Sequence, residues 1–109
     1  MSIMVNIYYR GEGGSARGFA EEMVASGTVS AIRNEPGNLG YEYFLSMDDP
    51  ETVLLIDSWE NQRALDAHHD SPMMQTIMKL RKKYDVHMKV QRFVPDKDAP
   101  SNDSIFVRE

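Results

Sequence analysis

Four side chains in this 109-residue sequence combine acid/base or hydrogen-bonding capacity with informative positions: Asn6, Trp59, His68 and His69. Trp59, the single tryptophan, can donate only through its indole N–H, and His68 can accept a proton near neutral pH. Asn6 sits in a β-prone run that disfavours asparagine, and its amide can donate to an oxygen. If their faces converge, these three would form a base with two donors. Each also has a plain structural reading: Trp59 as a seal where a strand gives way to a helix, His68 as a packed core histidine beside Ala64 and Leu65, and Asn6 as a partner for a backbone group or a second chain. His68 and His69 diverge by about 100° on a helix, so they do not share one metal ion, and the lack of cysteine removes thiolate ligands and nucleophiles. His87, alternating with Lys89 and Gln91, reads as an exposed or interface residue.

The elements that must position these groups follow from periodicity. Ile3 to Arg10 alternates Ile3, Val5 and Ile7 against Met4, Asn6 and Tyr8, which predicts a strand. Gly11 to Gly14 reads as a turn without the Lys of a phosphate loop, and Ser15 as the N-cap of a helix through Phe19, Ala20 and Met23 to Ile32, kinked near Gly27-Thr28. Leu39 to Met47 alternates as a strand, Thr52 to Trp59 is the most apolar segment of the chain, and the Asp48-Asp49-Pro50-Glu51 link makes the two a hairpin. Asn61 reads as the N-cap of a helix through His69. Ser71-Pro72 opens another, with Met73, Ile77, Leu80 and Tyr84 on one face and the Lys79 to Lys83 run solvated. Met73, Met74 and Met78 form a soft patch assigned to the core. Val86 to Val94 is the last strand; Pro95 to Ser104 is a polar loop or arm, and Ile105-Phe106-Val107 a β-prone island.

The order strand, helix, strand, strand, split helix, strand predicts an α+β, ferredoxin-like βαββαβ domain over residues 1–95, with helices on one face of a four-stranded antiparallel sheet. Residues 96–109 form a C-terminal arm whose short strand could pair with a partner subunit. The other sheet face would carry apolar residues, so two sheets should pack together as a homodimer. A net charge of −5 with one short basic cluster argues against nucleic acid. No apolar run approaches the roughly eighteen residues of a membrane span, and a cytoplasmic protein is expected.

The stretch GNLGYEYF followed by VLLIDSWENQRALDAHHDSP resembles the antibiotic biosynthesis monooxygenase family, quinol monooxygenase-like, over nearly the whole chain. Its most specific parts are Trp59-Glu60 at the end of the third strand, the Ala64-Leu65-x-Ala67-His68 helix, and Ser71-Pro72. The resemblance implies a dimeric α+β barrel and cofactor-independent oxygenation of a quinol, phenol or anthrone-like molecule. Triplet oxygen reacts slowly with closed-shell molecules, so such an enzyme must turn its substrate into an electron-rich anion with a base, donors and a dry pocket. For that chemistry His68 is the candidate base, Asn6 and Trp59 are candidate donors, and Tyr41, Tyr43, Met73 and His69 are candidate substrate-binding residues; no cofactor or metal is called for.

Two departures stand out. Many quinol-oxygenase-like members carry a histidine right after Ser-Pro, where this chain has Met73. In the heme-degrading branch the helix tryptophan and axial histidine fall at His68 and Met78, so heme degradation does not fit. Two other classes remain open: an isomerase acting on a small polar metabolite, expected to have a small pocket lined by charges, and a non-enzymatic ligand-binding or stress-associated domain, expected to have no cavity of ligand size.

Overall fold

A computed structural model describes residues 1–99 and 101–108. Alternating β-branched and aromatic residues form four strands: β1 (Ile3–Arg10), β2 (Asn38–Leu45), β3 (Thr52–Trp59) and β4 (His87–Phe93). They make one sheet in the order β2-β3-β1-β4, every neighbouring pair antiparallel. Four helices, α1 (Ser15–Ala25), α2 (Thr28–Arg33), α3 (Gln62–His69) and α4 (Pro72–Lys83), complete the predicted ferredoxin-like α+β order.

The period-2 pattern of the strands decides what faces the helices. On β1 the inward side chains are Ile3, Val5, Ile7 and Tyr9, and on β3 Val53, Leu55, Asp57 and Trp59; all eight are buried. Register sets Tyr41, Asp57, Val5 and Arg92 in one row across the sheet. Ala16, Phe19, Ala20 and Met23 of α1, Val29 and Ile32 of α2, Leu65 of α3 and Ile77 and Leu80 of α4 pack onto that face. The opposite face bears Met4, Asn6, Leu54, Ile56, Phe44 and Phe93, of which Met4, Phe44 and Phe93 are exposed large hydrophobics.

The expected kink at Gly27-Thr28 is a full break. Gly27, at φ 82°, is the left-handed residue between α1 and α2, a conformation glycine adopts without the Cβ penalty of other residues. Gly37 is constrained twice, by φ 84° and by space: a Cβ there would meet the Cβ of Ala64 at 2.5 Å. Its absence lets α3 settle against the loop before β2, where the Gly37 carbonyl accepts from the Glu60 N–H at 2.8 Å. Asn61 caps α3 as predicted, accepting from the Ala64 N–H at 2.9 Å.

Two local expectations are corrected. Gly14, not Ser15, is the N-cap of α1; the carboxylate of Glu51 accepts from the Gly13 and Gly14 N–H groups at 2.5 and 2.9 Å, so the chain's own acid fills the glycine turn. Ser71 stands at the N-cap of α4, but its hydroxyl donates back to the His68 carbonyl at 2.7 Å. Within this single chain Ile105 lies at the end of a short 3-10 helix, Ser101–Phe106. With no strand beside it among the described residues, local bonds such as Val107 N–H to the Ser104 carbonyl (3.1 Å) serve its backbone. Pro100 and Glu109, also within the C-terminal arm, lie outside the described residues.

Candidate active site

A cavity of about 280 Å³ lies between the β1-β4 side of the sheet and helices α3 and α4. Val5, Ile7, Leu65, Met74, Met88 and Val90 make its apolar wall, and Asp57, His69, Arg81 and Arg92 are its polar groups. Asp57 reaches it because β3 is inward at odd positions, which places a carboxylate where the neighbouring positions hold Leu55 and Trp59. The residue is only 5% exposed. Burial in this apolar setting disfavours its charge and pushes its pKa up to about 7; the nearby Glu35 charge adds to this, while the Trp59 hydrogen bond and the Arg81 charge oppose it.

Trp59, two residues along the same strand and therefore on the same face, donates its indole N–H to Asp57 Oδ1 at 2.6 Å. Oδ2 makes no hydrogen bond among the described residues. One oxygen is thus held in place and the other is available for proton transfer at neutral pH. Arg81, on the last turn of α4, donates from Nη2 to the Tyr9 hydroxyl at 2.8 Å, with its guanidinium carbon 5.5 Å from the Tyr9 ring centroid. Burial raises the Tyr9 pKa, with the Arg81 charge opposing, so Tyr9 stays a neutral hydroxyl in the physiological range.

The residues expected from the sequence divide between this cavity and its surroundings. Trp59 is fully buried and joins the site through Asp57. His69 lines the cavity. His68 does not line it: it stacks on Trp59 with ring centroids 4.8 Å apart, and its Nδ1 lies 3.1 and 3.2 Å from the two oxygens of Glu35. In this position it packs behind the indole. Asn6 is not brought to Trp59 and His68, because even positions of β1 point to the opposite sheet face, where Asn6 sits between Ile56 and Gln91. Its Oδ1 is buried there without a donor among the described residues.

Nor do the expected wall residues line the cavity. Tyr41 is buried and set edge-on to both Tyr43 and His68; Tyr43 borders a separate groove beside α1, and Met73 packs on the core. Met74, one helical step on, takes the place expected of Met73. Burial raises the pKa values of Tyr41 and Tyr43, so neither phenol is a base near neutral pH. Among the described residues no three His, Cys, Asp or Glu side chains come together as a metal cage, and no helix is long and apolar enough to cross a membrane.

The two groups that sequence reasoning missed are Asp57 and Arg81. For Asp57 a signal was present: an aspartate at an inward position of the most apolar strand, two residues before the lone tryptophan. For Arg81 there was none, since it sits inside a basic run that reads as a solvated helix face.

No curated protein matches the sequence. Solved structures do match it in shape. A candidate antibiotic biosynthesis monooxygenase of Deinococcus radiodurans superposes with a TM-score of 0.75 at 18% identity, covering 90% of this chain and 96% of that one. SnoaB, a cofactor-independent oxygenase of Streptomyces nogalater, gives 0.74 at 14% identity over 92% and 98%. A conserved protein of Methanosarcina mazei Go1 gives 0.75 at 16% over 88% and 94%. At these identities the likeness is one of fold. The sequence itself carries the pattern of the antibiotic biosynthesis monooxygenase domain over residues 2–80, and the chain belongs to that family.

Proposed function

We propose that this chain is a quinol monooxygenase-like, cofactor-independent oxygenase of small hydroxylated aromatics, working in the cavity beside Asp57. The observation that carries the reading is a buried carboxylate with a pKa of about 7, fixed by an indole N–H and opening onto an apolar cavity. Asp57, rather than His68, is the base, since His68 is turned to Glu35 and Trp59. For a quinol or anthrone-type CH₂, Asp57 removes one proton and leaves a carbanion or phenolate. That anion gives one electron to O₂, and the substrate radical and superoxide combine into a C–O bond. Asp57 returns its proton to the outer peroxide oxygen as the O–O bond breaks. The second hydrogen leaves the carbon as a proton, and CH₂ and O₂ become C=O and H₂O. Arg81, which lines the cavity and is steadied from behind by the buried Tyr9 hydroxyl, is the donor available to an oxyanion.

Oxygen uptake with a panel of quinols, phenols and anthrones tests this. Wild type should consume oxygen with an acidic limb near pH 7, and Asp57→Asn should be at least about a hundredfold slower. Equal rates for the two would remove the assignment.

One observation favours the isomerase reading: the cavity is small, its wall is aliphatic rather than aromatic, and four polar side chains enter it. Turnover without oxygen separates the two, because an isomerase exchanges substrate protons with solvent anaerobically and yields no oxidised product.

The protein is also proposed to act as a homodimer through the open sheet face, which presents Met4, Phe44, Leu54, Ile56 and Phe93 together with the orphaned Asn6 carbonyl oxygen. Sedimentation should show a dimer that Ile56→Asp converts to a monomer; a stable wild-type monomer would contradict it.

A further inference from the structure

The cavity holds more positive charge than its single carboxylate balances. Arg81 and Arg92 both line it, and neither has a carboxylate within 4.0 Å among the described residues. Arg92 is exposed at the rim and donates to the Gln62 side chain. Arg81 is half-buried and shares one amino group with the Tyr9 hydroxyl. Its Nε–H is buried with no acceptor among the described residues. A buried donor on a charged group without a partner is rare in folded proteins and costly to leave unmade. A guanidinium offers its donors as a planar fork that fits a planar two-oxygen anion.

Asp57 is not that anion in this structure. Its Oδ1 is taken by Trp59, and it forms no hydrogen bond with Arg81. The volume of about 280 Å³ is at the small end of ligand sites and suits one or two rings rather than a larger polycycle.

We propose that the natural ligand is a one- or two-ring hydroxylated aromatic carboxylate whose carboxylate sits on Arg81. Arg81 is then the specificity-determining residue, the ring lies against Val5, Ile7, Leu65 and Met74, and the hydroxyl-bearing carbon is presented to Asp57. The proposal rests on the cavity being the site; it does not need the reaction to be an oxygenation.

The test is calorimetric titration of the whole protein with a matched pair of probes, 1-hydroxy-2-naphthoate and 1-hydroxy-2-naphthamide, which differ in the charge of one substituent. Wild type should bind the naphthoate at least about tenfold more tightly than the amide. Arg81→Gln should bring the two affinities together, and Arg81→Lys should retain part of the preference. Asp57→Asn should keep the full preference while losing oxygen uptake, so failure of the base assignment and failure of this one are read separately. Equal affinities in wild type, a preference that survives Arg81→Gln, or one lost in Arg92→Gln instead would overturn the proposal. The wild-type comparison decides it even if an Arg81 variant does not fold.

Discussion

A carboxyl group whose pKa is raised on folding destabilises the fold whenever it is charged, and Asp57 makes that cost measurable. Its pKa moves from the ordinary 3.8 to about 7, driven by burial. At 1.36 kcal/mol per unit this amounts to about 4 kcal/mol. The sign follows from which state binds the proton more tightly. The folded chain does, so the contribution is neutral below pH 4, turns against folding between pH 4 and 7, and is constant above that window. About 3 kcal/mol of it develops between pH 5 and pH 8. Asp57→Asn keeps an oxygen to accept from Trp59 and removes the charge. The variant should therefore be more stable than wild type at pH 8, with its advantage shrinking by about 3 kcal/mol at pH 5. Urea unfolding at pH 5, 6, 7, 8 and 9 and one fixed protein concentration measures this directly, since the midpoint would otherwise shift with any assembly. A difference between variant and wild type that stays flat across pH would refute the raised pKa, and with it the base assigned above. The same substitution should abolish turnover, because the group that weakens the fold is the one that moves the proton.

Trp59→Phe removes the hydrogen bond that lowers the Asp57 pKa, so carboxyl-carbon NMR should show Asp57 titrating at higher pH than in wild type, with a stability loss of about 1–3 kcal/mol. His68→Ala leaves the nearly buried Glu35 carboxylate without its partner and opens space beside the indole, which should cost about 2–4 kcal/mol by denaturant unfolding. Oxygen uptake per folded molecule should stay within a few fold of wild type, and complete loss of turnover in a well-folded variant would restore His68 as the base. Glu51→Gln weakens the two bonds that hold the Gly13-Gly14 turn, so the thermal midpoint should fall by roughly 4–8 °C for the loss of about 1 kcal/mol.

Most of the architecture was legible in the chain because local rules speak directly there. Alternation marked β1 and β2, an apolar run marked β3, Asn61 and Pro72 marked the starts of α3 and α4, and the Asp-Asp-Pro link closed the β2-β3 hairpin. The failures lie where a neighbour decides. Ser15 is not the cap: its hydroxyl accepts from the Glu12 N–H at 3.1 Å, while Glu51, 37 residues from Gly14, accepts from the N–H groups of the turn. Ile105 to Val107 has the composition of a strand, and with no adjacent strand among the described residues its first two residues lie in a 3-10 helix, since β structure needs a neighbour.

The site shows the same division more sharply. The sequence by itself determined the fold class, the family and the side of each strand on which a residue falls, because a strand's period of two and a helix's 100° step are properties of one backbone. It did not determine which of His68 and His69, or of Met73 and Met74, meets the cavity, because that depends on how α3 and α4 cross the sheet. It could not show that Asp57 is poised near neutrality either. That pKa is the sum of burial, the indole, Glu35 and Arg81, brought from β3, the loop before β2 and α4, and only their packing sets the distances at which charge and desolvation act.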